Sequence, residues 1–216
     1  MGVYEESLNA FRAGDTDLAE ELALELLGES RSAEEEGEDA GDRAGRVDAL
    51  CMLARVALRR GQFYQVTTLA DEAWGVSLGA VKRREEAMLK RMPIHLMGVA
   101  ARMLGEYAEA RLFYLESIEL NRELGEDRMV AAEHRNLAYV ELHDGHVDRA
   151  RELFAVAAED GGLEPFLLLD AAVLALEDGD GPKARELAGK FAAAGLTLDP
   201  DDATELESLQ IRLQEL

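Results

Sequence analysis

Five times along the chain a glycine closes an apolar segment and a small residue follows five positions later: Gly14/Ala19, Gly61/Val66, Gly105/Ala110, Gly145/Ala150 and Gly179/Ala184. Val66 is the one departure from alanine. The glycines stand 47, 44, 40 and 34 residues apart. A self-similar interval of this size marks stacked helical units, each of which buries its apolar face only against its neighbours. The chain is therefore read as a binding scaffold rather than a compact enzyme core.

Aligned on these glycines, Leu53-Ala54-Arg55-Val56-Ala57-Leu58-Arg59-Arg60-Gly61 and Leu137-Ala138-Tyr139-Val140-Glu141-Leu142-His143-Asp144-Gly145 share L-A-x-V-x-L-x-x-G, and residues 171–179 are a close third. Seven positions before each glycine stands Ser7, Ala54, Gly98, Ala138 or Ala172. A small residue there lets two helices cross at short distance. Behind each glycine a second stripe begins, such as Leu18, Leu22 and Leu26, or Ala150, Phe154 and Ala157. Steps of three and four residues place each set on one helical face. Each unit thus reads as helix, tight glycine turn, helix.

Composition agrees. Apolar residues make up 48% of the chain but aromatics only 6%, so Leu and Ala must supply the packing, as suits closely packed helices. The four prolines and sparse β-branched residues also favour an all-α chain. The net charge of −22 opposes attraction to nucleic acid or an anionic membrane surface, since both are polyanions. The lone Cys51 forms no internal disulfide and suits a reducing cytosol. The start, Met1-Gly2-Val3-Tyr4-Glu5-Glu6, has neither the basic residues nor the apolar run of a signal peptide, and no stretch approaches the ~20 apolar residues of a membrane span. A cytoplasmic protein is expected.

With these small residues, turn glycines and second-helix aromatics Tyr114 and Phe154, the chain resembles the tetratricopeptide repeat family over residues 3–193. The long spacing, with Arg122-Glu123-Leu124-Gly125-Glu126-Asp127-Arg128 between units, is similar to the repeats in sensor regions of bacterial LuxR-type transcription activators. The resemblance implies a single all-α domain over 1–216, a right-handed superhelical solenoid of about five helix pairs. The repeats are expected at 3–28, 46–78, 91–122, 128–160 and 165–193. Residues 29–45, rich in Glu and Asp, are expected as a solvated acidic loop. Asp199-Pro200-Asp201-Asp202 is a helix-start signal, so 199–216 is expected to cap the last repeat. Pro93, preceded by a basic run from Lys82 to Arg91, either starts a helix near Met92 or interrupts a longer one.

Signatures of catalysis are missing from the sequence: there is no G-x-S-x-G, no phosphate-cradling G-x-x-x-x-G-K, no H-E-x-x-H and no C-x-x-C. His143 and His146 flank a turn without a third or fourth ligand in register, so no metal or other cofactor is expected. Cys51, Trp74 and Met97 lie on packing stripes.

In the family the first helices of successive units line a concave groove. Mapping those positions selects Tyr4, Leu8, Phe11 and Arg12; Asp48, Cys51, Arg55 and Arg59; His95, Val99, Arg102 and Met103; and Arg135, Tyr139, Leu142 and His143. The candidate contact residues are Arg12, Arg55, Arg59, His95, Arg102, Arg135 and Tyr139. Guanidinium forks suit carboxylates, and interleaved aromatics and Met supply apolar contact. The competing reading is that these arginines neutralise acids of the neighbouring repeat. The family's carboxylate clamp for chaperone tails is not matched, because its asparagine position holds Leu8, Arg55, Val99, Tyr139 and Val173. The expectation is a non-enzymatic adaptor for an acidic or carboxylate-bearing protein or peptide segment, without nucleic acid or membrane contact. Self-association is compatible with the sequence. The alternative is a ligand-sensing regulator that acts on transcription through a partner.

Overall fold

The computed structural model describes residues 2–36, 41–78, 83–159, 165–196 and 198–216. Its regular elements are eleven helices: α1 (Val3–Arg12), α2 (Thr16–Glu36), α3 (Gly41–Arg59), α4 (Phe63–Ser77), α5 (Arg83–Met103), α6 (Tyr107–Leu124), α7 (Asp127–His143), α8 (Val147–Glu159), α9 (Phe166–Glu177), α10 (Gly181–Ala193) and α11 (Pro200–Gln214). The described residues contain no strand. Successive helices pair from α1/α2 through α9/α10, a solenoid of five helix pairs followed by α11. The chain divides into two compact units, residues 1–125 and 126–216. In the first unit α3 packs between α1 and α5, so the first helices of its pairs form one layer. In the second unit α8 packs on α9, and α11 packs on α9 and α10.

The recurring glycines are where the backbone turns. All five have φ between 69° and 86°, a left-handed region that a Cβ makes costly. Each glycine N–H donates to the carbonyl three residues back, and the next N–H to the carbonyl five back. In the fourth pair these are Gly145 N to Leu142 O at 3.0 Å and His146 N to Glu141 O at 2.8 Å. This double closure satisfies the orphan carbonyls at the helix end. The small residue five positions on is completely buried in every pair: Ala19, Val66, Ala110, Ala150 and Ala184 all have 0% exposure.

The small positions of the first helices are buried as well. Ser7 spends its hydroxyl on the Ala19 carbonyl of α2, 2.7 Å away. At Gly98 an added methyl would come within 2.8 Å of the Tyr114 ring, so the aromatic of α6 takes the space that the glycine vacates. Ala138, at 0% exposure, is the equivalent position of α7. Ala138→Leu is expected to cost about 1–3 kcal/mol by overpacking, while Glu116→Leu on the exposed side of α6 should change stability by less than ~0.5 kcal/mol. Urea unfolding of the two variants checks this, and coincident midpoints would show that the small-residue register is wrong.

Two expectations are corrected. The acidic segment 29–45 is not a loop over its described residues, because α2 continues to Glu36 and α3 already begins at Gly41. Glu and Ala are strong helix formers, and partners hold both extensions: Arg31 of α2 and Arg46 of α3 reach Glu72 of α4 at 3.3 and 3.2 Å. Residues 37–40 lie outside the described residues. The third unit starts earlier than residue 91, since α5 runs from Arg83 with Pro93 inside it. Of the two alternatives at Pro93 the chain adopts the longer helix. Lys82 lies outside the described residues.

Candidate functional site

The mapped groove positions separate by unit. Arg12, Arg55, Arg59, His95 and Arg102 belong to the first, and Arg135 and Tyr139 to the second.

In the first unit a cleft of about 110 Å³ opens across the first-helix layer. Tyr4 of α1 forms one wall, Asp48, Cys51 and Arg55 of α3 the middle, and Met88, Arg91 and Met92 of α5 the other wall. Met88 and Met92 keep 61% and 36% of their surface in water, so the rim is apolar and accessible. Beside the cleft the guanidinium groups of Arg55 and Arg59 lie 4.4 and 3.5 Å from the centroid of the Phe11 ring, held by its negative face. Arg59 also donates to the Phe11 carbonyl at the end of α1. Arg12, in the last turn of α1, is exposed.

Burial sets the electrostatics here. It raises Asp48 to about 6. The Tyr4 phenol is raised by burial first and then by Asp48, and the same two causes push the Cys51 thiol up. Asp48 in the folded chain thus titrates above its ordinary 3.8. Ionising it costs stability that is lost in full above about pH 6 and recovered as pH falls toward 3.8. Asp48→Asn is expected to stabilise the first unit at pH 7.5 by about 1 kcal/mol, after allowance for its partial exposure, and to flatten the stability profile between pH 7.5 and 5. Fluorescence of the single Trp74, which lies in this unit, reports both. A variant less stable than the parent at pH 7.5 would show that Asp48 is compensated in the fold.

The structure departs from the groove mapping at Arg102, which is only 4% exposed. Positions 99 and 102 of α5 face the packed interior, with Val99 at 1%. The accessible stripe of α5 lies nearer its start, at Met88, Arg91, Met92 and half-buried His95.

In the second unit Arg135 and Tyr139 are also interior. Arg135 Nε donates to both oxygens of Asp170 on α9 at 2.8 and 2.9 Å, and its Nη1 reaches Asp202 of α11 at 2.6 Å. The guanidinium lies 5.0 Å from the ring centroids of both Tyr139 and Phe166, and the Tyr139 hydroxyl donates to Asp170 at 2.8 Å. One turn beyond Tyr139, His143 Nε2 lies 2.8 Å from Glu205. His146, across the turn, pairs with Glu141 at 3.0 Å. Arg135 therefore follows the competing reading, neutralising an acid of the next repeat, but as a buried pair rather than a surface one.

Sequence reasoning missed Met88 because it began the third unit at residue 91, and Arg91 and Met92 because its mapped positions in that unit began at His95. The signal was present: 88, 92 and 95 continue the three-and-four spacing of the α5 stripe backward through Pro93. Among the described residues no group of His, Cys, Asp and Glu could hold a metal ion, and no helix is long and apolar enough to cross a membrane.

No protein-family model matches the chain, and no curated protein matches it in sequence. Its fold is shared with solved structures. BtubC (BKLC) from P. vanneervenii superposes with a TM-score of 0.64 at 18% identity, over 93% of this chain and 82% of that one. The apo form of RapI superposes with a TM-score of 0.66 at 16% identity, over 88% of this chain and 67% of that one. Likeness at such identities is a likeness of fold, and the fold shared is a helical repeat.

Proposed function

We propose that the protein is a non-enzymatic adaptor that holds an acidic protein or peptide segment against the first-helix layer of residues 1–125. The observation that carries this reading is the convergence of Arg55, Arg59 and Arg91 with Tyr4, Met88 and Met92, with Arg12 acting on Tyr4 electrostatically, in a chain of net charge −22. Cations gathered where the rest of the surface is acidic favour approach of an acidic segment there and discourage it elsewhere. The thioether rim supplies adaptable apolar contact.

Catalysis is a poorer use of these groups. A thiol nucleophile needs a lowered pKa, and burial pushes Cys51 the other way. A small-molecule ligand is a poorer fit to this cleft, because its volume of about 110 Å³ is well below the ~300–1,000 Å³ of small-molecule pockets. The cleft suits one side chain of a docked segment.

Photo-crosslinking in the native host tests the proposal. A photoreactive residue at Met92 should capture acidic segments, whereas one at Leu112, 68% exposed on α6, should not. The same products from both positions, or products without acidic character, would contradict it.

A further inference from the structure

The second unit carries its own acidic helix on its first-helix side. α11 brings Asp202 to Arg135 and Glu205 to His143, two turns apart on α7, and buries Leu209 and Leu213 at 2% and 8% exposure. Its sequence from Asp199 to Leu216 holds six acidic residues and a single arginine. We propose that the α7–α9 face of the second unit is a receptor for an acidic amphipathic helix, and that α11 is its resident, exchangeable occupant. This is independent of the reading given to the first unit.

The argument rests on how Arg135 is held. Asp170 takes its Nε edge, the Tyr139 and Phe166 ring centroids each lie 5.0 Å away, and its Nη2 lies 3.3 Å from the Tyr139 hydroxyl. All of these groups belong to α7 and α9, so the guanidinium is oriented without help from α11. Only Nη1 points to the C-terminal helix. A fork fixed in this way is a preorganised carboxylate receptor, which spares an incoming acid the ordering cost.

Release of α11 leaves Arg135 paired with Asp170, so no uncompensated charge stays behind, which is the usual penalty for opening a buried ion pair. While α11 is seated, two carboxylates share one guanidinium. Asp170 then sits at about 6, raised first by burial and also by Asp202, against the lowering effects of Arg135 and the Tyr139 hydroxyl. Further attachments of α11 include Arg212 to Glu177 at 2.6 Å, Arg185 to the Leu213 carbonyl at 2.8 Å, and the two leucines. Ile211 and Leu216 remain 51% and 71% exposed. The chemistry that would replace α11 is legible from it: two carboxylates three residues apart, followed by leucines four and eight residues after the second. This is the helix-in-groove mode of recognition.

The test uses the full chain and a fluorescent peptide of residues 199–216. In the wild-type chain the tethered α11 competes at the high effective concentration of a short linker, so the peptide should bind weakly. In the full-length Asp202→Asn/Glu205→Gln variant, with its helical signal retained, the tethered helix competes less well and peptide affinity should rise at least tenfold. A peptide carrying the same two substitutions should bind that variant at least tenfold more weakly than the wild-type peptide. Equal affinity of the wild-type peptide for the two chains would overturn the proposal. Hydrogen exchange on the unmodified chain tests it without any variant. The α11 amides should exchange at least 100-fold faster than the central amides of α7 and α9, and exchange in step with them would make α11 a fixed cap and overturn the proposal.

Discussion

Arg135→Ala is expected to destabilise the second unit by about 3–5 kcal/mol, the usual cost of removing one partner from a buried ion pair. The substitution strands Asp170, which is 3% exposed and keeps only the Tyr139 hydroxyl as a partner. It also removes the cation that lies 5.0 Å from the Tyr139 and Phe166 ring centroids. The charge part of the deficit should depend on pH in a definite direction. Asp170 already titrates at about 6 with its cation in place, and loss of the cation raises it further. The folded variant therefore holds a proton that the unfolded chain has released, and its stability falls as pH rises through that value. The deficit should be largest near pH 8 and smaller near pH 5. Arg135→Ala/Asp170→Asn should recover part of the loss at pH 8, because no buried charge then remains. Trp74 reports on the first unit only, so the measurement is hydrogen exchange within 126–216. A deficit under ~1 kcal/mol, or one independent of pH, would show that water reaches Asp170 when the arginine is gone.

The repeat was legible because its determinants are local. A turn needing positive φ admits little but glycine, and a helix crossing at contact distance admits little but a small side chain. Gly98 with Tyr114, and Ser7 with the Ala19 carbonyl, are determined by residues within a single unit. The extent of α2 and α3 was not legible in this way. Acidic runs resemble solvated loops by composition, and what holds these helices together is the distant Glu72. The accessibility of the candidate contact residues was not legible for the same reason. The family resemblance mapped Tyr4, Arg12, Asp48, Arg55 and Arg59 to inward positions of the first helices. It carried no information on how far a neighbouring element covers each stripe. Arg102 is covered within the first unit, and Arg135 is covered by α11, whose Asp202 lies 67 residues along the chain.

Charge reversal at Arg12 and Arg55 should weaken binding of the acidic partner segment at least 100-fold at low salt, a change of about 2.7 kcal/mol. Both side chains act on Tyr4 at the cleft, so Arg12→Glu/Arg55→Glu converts the cationic side of the cleft into an anionic one. Burial rules out Arg102 for this purpose, because a carboxylate placed there would destabilise the fold before it reported on binding. The comparison variant is Arg122→Glu/Arg149→Glu, whose exposed arginines pair with Glu119 and Glu152 of their own helices. Either pair of reversals takes the net charge from −22 to −26, a change of −2 at each of two sites. Long-range repulsion by the whole chain is therefore matched, and only the local field differs. Salt separates the two contributions. The Debye length shrinks from about 30 Å at 0.01 M to about 8 Å at 0.15 M, so any loss shared by both variants should vanish at physiological ionic strength while the cleft-specific loss persists in part. A cleft variant that binds as tightly as the comparison variant at 0.15 M salt, with its helical signal intact, would remove the arginines of the first-helix layer from recognition and leave the exposed leucines of the second helices, such as Leu112 and Leu115, as the surface to test.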